Sequence, residues 1–279
     1  MRLKAFENRQ IQCWSIIGYD FLARLIDINS NKVSIITASF NSGRFIGETY
    51  SSILAQEYTD WEWIVTDDCS TDGTTDLLDG MAASDSRVKV IKNSLNLGAG
   101  LSRNKAMSKA SGRFIAFIDA DDLWDPQKLS RQVRFMLAGQ VGICFTSYRI
   151  ICQVGRDQGK VVDQGAPASL GYSGLLLKKA TVGCSTVMVD RSRIGEFVMP
   201  GLRTGQDYVT WLSILKKGVT GYLFRETLTS YRIVEGSISR NKFKKALRQW
   251  QIYRSVEKLP LGLSIFYFIN YAYRAVIRK

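Results

Sequence analysis

An apolar run, Phe114-Ile115-Ala116-Phe117-Ile118, leads directly into Asp119, Asp121 and Asp122. Continuous apolar residues of β-branched and aromatic type read as a strand covered on both faces of a parallel sheet. Ligands of such sheets sit beyond the carboxyl ends of the strands. Carboxylates this crowded repel one another unless positive charge is held among them, and a hard divalent cation with oxygen ligands suits them. The chemistry indicated is the handling of a metal and a phosphate. On this stretch alone, an acidic loop ahead of a helix opened by Pro126, with Asp125 as its N-cap, explains the residues equally well. A second predicted strand, residues 61–68, also ends in paired acids, Asp67-Asp68. Two acid-tipped strands on one sheet rim are costly unless a ligand uses them, which favours a site. Histidine is absent from the chain. Ser-His-Asp and Cys-His systems are therefore excluded, and a carboxylate is the expected base.

The elements that must carry these acids follow from pattern. Residues 33–40 read as a strand, and Asn41-Ser42-Gly43 turns into a helix that runs to about residue 56 through Phe45, Ile46, Ile53 and Leu54. Residues 69–74 turn into a short helix, and residues 88–91 give a third strand. After a loop over 93–100, a helix over 101–110 returns through Ser111-Gly112 to the acid-tipped strand. Four β-α units thus precede residue 125, which predicts an α/β fold: a Rossmann-like, mostly parallel central sheet flanked by helices. Further strands are expected over 142–148 and 186–189, and a helix from Asp207 through Val209, Leu212, Ile214 and Leu215. A helix over 9–28 follows from apolar residues at three- and four-residue steps; Asp20 and Arg24 interrupt any secretory segment there, so it reads as a packing or interfacial helix, with docking against the domain favoured over membrane contact.

The 279 residues, 46% of them hydrophobic, allow one substantial core. The formal charge of +13 implies an anionic partner. Five cysteines without a CxxC pair argue against a disulfide framework or a zinc site and fit a reducing compartment.

Over roughly residues 33–239 the chain resembles family 2 glycosyltransferases of the GT-A fold. The matching pieces are Ser34-Ile-Ile-Thr-Ala-Ser-Phe-Asn41, Val65-Thr-Asp-Asp-Cys-Ser-Thr-Asp-Gly-Thr74, Asn96-Leu-Gly98 with Ser102-Arg-Asn104, Gly112-Arg-Phe-Ile-Ala-Phe-Ile-Asp-Ala-Asp-Asp122, and Gly205-Gln-Asp207 followed by Trp211. Each is weak alone; their shared order and spacing carry the resemblance. It implies a nucleotide-sugar donor, UDP-linked, lying across the sheet edge. Phe40 would lie against the uracil ring, Ala38 would offer backbone hydrogen bonds, and Asp68 would accept one from the ring N–H. Asp67 is left as a turn-holding residue. Arg103 would approach the diphosphate with a fork suited to phosphate oxygens. Asp119 would take a ribose hydroxyl, and Asp121 would ligate Mg²⁺ or Mn²⁺. Asp122 stands either as a ligand through water or as a helix-side acid. Asp207 would be the general base. Gln206 departs from the family's usual Glu, and Tyr231-Arg232 is not followed by the family's histidine, so that histidine's role at metal or phosphate is either missing or taken by Arg232 or Arg240. Residues 141–189 would shape the acceptor pocket. Gly98-Ala-Gly100-Leu-Ser-Arg103 is no dinucleotide fingerprint, because Arg103 occupies its third glycine position.

Beyond residue 239, lysine and arginine face a single acid, Glu257. Residues 261–273 are uncharged and aromatic-rich but shorter than the ~20 residues that cross a bilayer. This reads as a basic amphipathic helical tail suited to an anionic membrane surface, or else as a helix packed on the domain or a partner subunit. The expected division is 1–32, an N-terminal helical extension; 33–238, the GT-A domain; and 239–279, the tail. Arg248-Gln249-Trp250 departs from the QxxRW signature of processive synthases, so single-sugar transfer is expected. The resemblance and the tail together imply an inverting transferase that acts on a saccharide or lipid-linked saccharide in cell-surface polysaccharide assembly, cytoplasmic or peripheral on the inner membrane face, with no nucleic-acid partner. A sugar-nucleotidylyltransferase would want a glycine- and basic-rich loop where Phe40-Asn41-Ser42-Gly43 stands. A non-enzymatic basic binding module would explain the tail but not the acids.

Overall fold

The apolar runs form strands of one sheet, in a computed structural model that describes residues 31–234 and 242–277. The helix expected over 9–28, and Arg240, lie outside the described residues. The first half is three β-α units closed by a fourth strand: β1 (Val33–Ser39), α1 (Ile46–Leu54), β2 (Trp61–Asp67), α2 (Thr74–Ser84), β3 (Val88–Lys92), α3 (Ala99–Met107) and β4 (Phe114–Phe117). Its strands are parallel in the order β3-β2-β1-β4, with Val33 opposite both Trp61 and Phe114. Side chains alternate between the two faces of the sheet. Ile36, Ile64, Ile115 and Phe117 enter one core, whereas Val33, Ile35, Trp63 and Phe114 enter the other. Over β1, β2 and β4 both faces are covered and nearly every residue is buried, which is why apolar residues there fall on both faces rather than alternating with solvated ones.

The second half contains β5 (Leu123–Trp124), α4 (Lys128–Ala138), β6 (Ile143–Ile151), β7 (Asp157–Val162), β8 (Ser169–Leu170), α5 (Tyr172–Leu176), a 3₁₀ turn (Cys184–Thr186), β9 (Met188–Asp190), α6 (Arg191–Ile194), α7 (Gln206–Lys216) and β10 (Gly221–Arg232). Here the sheet is mixed. β9 runs antiparallel between β4 and β6, while β10 is parallel to β6 and antiparallel to β5. The mostly parallel sheet expected is fully parallel over its first half and mixed over its second. Asp125 stands two residues before the helix cap: pairing of β5 with β10, extended by the Asp125 N–H bonded to the Leu228 carbonyl at 3.0 Å, delays the helix to Lys128, and Asp125 Oδ1 instead accepts from the Gln127 N–H of the entering turn at 3.0 Å.

The C-terminal helices α8 (Lys242–Gln251) and α9 (Leu261–Ile277) are joined through a π-helical turn, Ile252–Val256. That turn plugs into the first core cluster through buried Ile252 and Tyr253. The Tyr253 hydroxyl donates to the Leu176 carbonyl at 2.8 Å, and Glu257 accepts from Tyr172 at 2.6 Å and Lys216 at 3.0 Å. The tail is therefore docked on the domain along one side. The other side of α9 leaves Ile265, Phe266, Ile269 and Tyr273 exposed. Among the described residues no helix is long and apolar enough to cross a membrane.

Candidate active site

β4 delivers the acids, and a web of hydrogen bonds shapes the turn that follows. The Asp122 N–H bonds the Asp119 carbonyl at 3.1 Å, and the Thr49 hydroxyl reaches the carbonyls of Ala120 and Asp122 at 3.1 and 2.9 Å. Ser185, in the 3₁₀ turn, accepts from the Asp119 N–H at 3.0 Å and donates to Asp122 Oδ2 at 2.5 Å. The Arg232 N–H donates to Asp122 Oδ1 at 2.9 Å. Asp122 is thus a buried clasp with both oxygens engaged inside the protein. Burial, then Asp121 and Asp119, push its carboxyl well above the usual range.

Arg232 differs from its expected place at metal or phosphate. Its fully buried guanidinium donates from Nε to the Asp121 carbonyl at 2.7 Å, from Nη1 to the Gln153 carbonyl at 2.9 Å and from Nη2 to Glu48 at 2.6 Å. It braces the acid turn from beneath, and each of its side-chain nitrogens is committed there.

Above the turn lies a cavity of about 1150 Å³ whose lining includes Ala38, Phe40, Arg103, Asp119 and Asp121. Phe40 is 50% exposed, an aromatic face presented to the opening. The loop that carries it is tied to the loop after β2: the Asn41 N–H donates to Ser70 Oγ at 2.9 Å, Asn41 Oδ1 accepts from the Thr71 N–H at 2.9 Å, and the Gly43 N–H donates to Asp72 at 3.0 Å. Asp67 holds this turn as expected, accepting from Ser70 and from Thr75, the latter at 2.6 Å.

Asp68 stands apart from the cavity. It is 3% exposed, and its carboxylate accepts from Asn93 Nδ2 at 2.8 Å, the Leu97 N–H at 2.8 Å and the Gly98 N–H at 2.7 Å. Burial opposes its charge, but those donors outweigh it and hold the carboxyl below its ordinary value. Its observed duty is to fold the 93–98 loop that leads into α3.

That helix brings Arg103 to the acids. Arg103 Nη2 donates to Asp119 Oδ1 at 2.5 Å, while Nε and Nη1 are buried without a hydrogen-bond partner among the described residues. α3 can approach the segment before α7 only because Gly100 lacks a side chain: a Cβ there would stand 2.5 Å from the Pro200 carbonyl. Gly205, at φ +76, then turns the chain into α7, placing Gln206 on the cavity wall and Asp207 at the helix start. Burial pushes the Asp207 carboxyl up; the Tyr208 N–H, Arg103 and Lys178 oppose the shift and Asp119 adds to it, so Asp207 shares one electrostatic neighbourhood with Arg103 and Asp119. A carboxylate raised in this way is better matched to taking a proton near neutral pH.

The carboxyl of Asp121 is pushed up to about 6 by burial and by neighbouring Asp119. Negative charge is therefore disfavoured there unless a cation arrives. Among the described residues no cluster of three His, Cys, Asp or Glu side chains could cage a metal. Asp121 with phosphate oxygens and water is nonetheless a donor set that fits magnesium or manganese, which rarely use all-protein cages.

Several residues of this site carry no local signal in the sequence. Ser185 shapes the acid turn across 63 positions to Asp122. Asp163 fixes the cavity residue Thr181 by accepting its N–H at 2.9 and 2.8 Å. Arg248 and Arg274, from α8 and α9, also line the cavity.

The family model described as glycosyl transferase family 2 matches residues 34–186. TuaG of Bacillus subtilis (strain 168), a glycosyltransferase whose name assigns it to teichuronic acid biosynthesis, is 43% identical over 88% of this chain and 97% of its own. The Escherichia coli UDP-Glc:alpha-D-GlcNAc-diphosphoundecaprenol beta-1,3-glucosyltransferase WfgD is 39% identical over 86% of this chain and 91% of its own. Among solved structures, S. aureus TarS 1-349 in complex with UDP-GlcNAc overlays with a TM-score of 0.67 at 19% identity, covering 80% of this chain and 64% of that one. This chain spans 60% and 40% of two further TarS chains. The mannosyltransferase PcManGT from Pyrobaculum calidifontis, in complex with GDP-Man and Mn2+, overlays with a TM-score of 0.63 at 18% identity, covering 87% and 69%. The chain belongs to glycosyl transferase family 2, and its fold is GT-A.

Proposed function

We propose that the protein transfers a single sugar, with inversion, from a UDP-linked donor to a saccharide or lipid-linked saccharide at the inner membrane face. The observation that carries this reading is the convergence of Arg103, Asp119 and Asp121 on one cavity, with Asp207 in the electrostatic field of the first two. Phe40 offers its exposed ring to the base, and the Ala38 backbone adds hydrogen bonds. Asp119 takes a ribose hydroxyl. Arg103, already buried, has two unpartnered donors to give to the diphosphate. Asp207 accepts the proton of the acceptor hydroxyl as its oxygen bonds to C1 and the bond from C1 to the diphosphate breaks, the electron pair leaving on the nucleotide. A magnesium or manganese ion at Asp121 supplies neutralisation of that departing charge when bound. Asp68 acts on the base only through the loop and strand ends that it sets. The family match sets aside the nucleotidylyltransferase and binding-module readings.

The lipid-linked acceptor is supported by WfgD, whose name states a diphosphoundecaprenol-linked sugar as its acceptor. Peripheral membrane contact is supported by the exposed apolar side of α9 beside basic residues, the arrangement of interfacial helices. We take 33–238 as the catalytic unit and 239–279 as a docked tail that completes it.

A thermal-shift panel of nucleotide sugars with manganese tests the reading, because a ligand of the folded state raises the melting point by about 2.7 kcal/mol of stabilisation at a hundredfold excess over its Kd. UDP-sugars are expected to shift it most, and a flat response to every nucleotide would sink the proposal.

A further inference from the structure

The cavity is larger than a nucleotide sugar needs, since single small-molecule pockets run to about 300–1,000 Å³, and its charge is lopsided. Seven lysine and arginine side chains line it against two acids, Asp119 and Asp121. The donor accounts for only part of this. Arg103 is paired with Asp119, and a divalent ion at Asp121 would itself offset the donor's diphosphate. Four of the cations, Lys244, Lys245, Arg248 and Arg274, come from the C-terminal helices and form one wall. Arg248 and Arg274 have no ion-pair or hydrogen-bond partner among the described residues. Glu257, the acid between α8 and α9, is turned away to Tyr172 and Lys216. The wall also stands at the right corner. A Cβ on Gly205 would lie 3.9 Å from Cγ of Arg248, so this arginine flanks the turn from which Asp207 begins α7. An acceptor hydroxyl delivered to Asp207 brings the rest of its molecule past Arg248.

We infer that the α8–α9 wall binds a phosphate group carried by the acceptor itself, next to the sugar whose hydroxyl is glycosylated, with Arg248 and Arg274 as its principal contacts. This rests on the transferase reading of the site and adds the acceptor's chemistry to it: the acceptor is an anion, recognised by charge-assisted hydrogen bonds from arginine. A diphosphate that links the sugar to a lipid and a phosphodiester in a polymer present the same chemistry.

The test is calorimetric titration of the full chain saturated with UDP and Mn²⁺. Three probes are used: an alkyl α-GlcNAc diphosphate, the matching alkyl α-GlcNAc glycoside without phosphate, and a short glycerol-phosphate oligomer. The diphosphate is expected to bind at least about tenfold more tightly than the glycoside, and the double variant Arg248→Gln/Arg274→Gln to lose about tenfold of that affinity while UDP affinity stays within about twofold. Tighter binding of the oligomer than of the diphosphate assigns the phosphate to a polymer; the reverse assigns it to a lipid-linked sugar. A glycoside that binds the wild-type chain as well as both phosphate probes do, or a double variant that binds them unchanged, overturns the inference. Should the variant not fold, salt decides on the wild type: the advantage of the phosphate probes must shrink at about 0.5 M salt, and an advantage untouched by salt also overturns it. Failure of UDP to bind at all would refute the donor reading, while the comparison among probes would still decide the acceptor inference.

Discussion

Nη2 of Arg103 lies 2.5 Å from Oδ1 of Asp119, while the other two nitrogens of the same buried guanidinium have no hydrogen-bond partner among the described residues. A cation half satisfied by the protein and half open is an anion site in waiting, because an unpaired buried donor is costly until something fills it. Arg103→Lys keeps the charge and loses the fork. Transfer is expected to fall by about 10²-fold in kcat/KM, mainly through a raised donor KM. Steady-state kinetics at fixed acceptor checks this, and a donor KM unchanged in the variant would take Arg103 away from the diphosphate.

Asp207→Asn preserves shape and removes the base. kcat is expected to drop by about 10³-fold, within the span of general base catalysis, while UDP binding is retained. Because burial raises the Asp207 carboxyl, the wild-type rate should fall on the acid side, as pH drops through that raised value and the base becomes protonated. A pH profile of kcat flat through the acid range would contradict the role.

Asp121 couples function to stability with opposite signs. Its carboxyl is pushed up to about 6 in the folded protein, above the ordinary range of an aspartate. The protonated form therefore stabilises the metal-free fold; this contribution is complete below the unfolded pKa and is lost as pH rises through the folded one. Asp121→Asn should accordingly raise the metal-free Tm at pH 7 and abolish the manganese dependence of UDP binding. A lower Tm together with intact manganese dependence would be the opposite of what the site requires.

Ser185→Ala removes a hydroxyl that serves both the Asp119 N–H and Asp122. Leaving those buried groups unmet should cost about 1–3 kcal/mol, read as a lower denaturation midpoint, and should raise the donor KM as the acid turn relaxes. A midpoint within error of the wild type would make the serine incidental.

The strand-borne half of the site could be read from the chain because both faces of the parallel sheet are buried. Continuous apolar runs therefore announced β1, β2 and β4, and the acids at their tips stood out. Asp67 in its turn, and Asp207 before the periodic residues of α7, were visible for the same local reasons. Ser185, Asp163 and Arg232 were not, since their work depends on groups tens of residues away and their local sequence is ordinary. The contacts of Asp68 were not legible either, because its buried carboxylate accepts from the backbone N–H groups of Leu97 and Gly98, about thirty positions further along the chain. β5, only two residues long, is specified by its partner strand β10 rather than by its own composition. The basic tail was evident as composition, but its place as a wall of the cavity emerges only from the plug formed by Ile252 and Tyr253.

That plug has an engineering consequence. On the reading proposed above, the acceptor's phosphate meets the segment after β10 while the donor meets residues before it, and that segment is held by Ile252 and Tyr253 together with Glu257. Grafting the segment after β10 from a relative with a different acceptor, with its counterparts of Ile252 and Tyr253 intact, should exchange the molecule that receives the sugar without changing the sugar that is given.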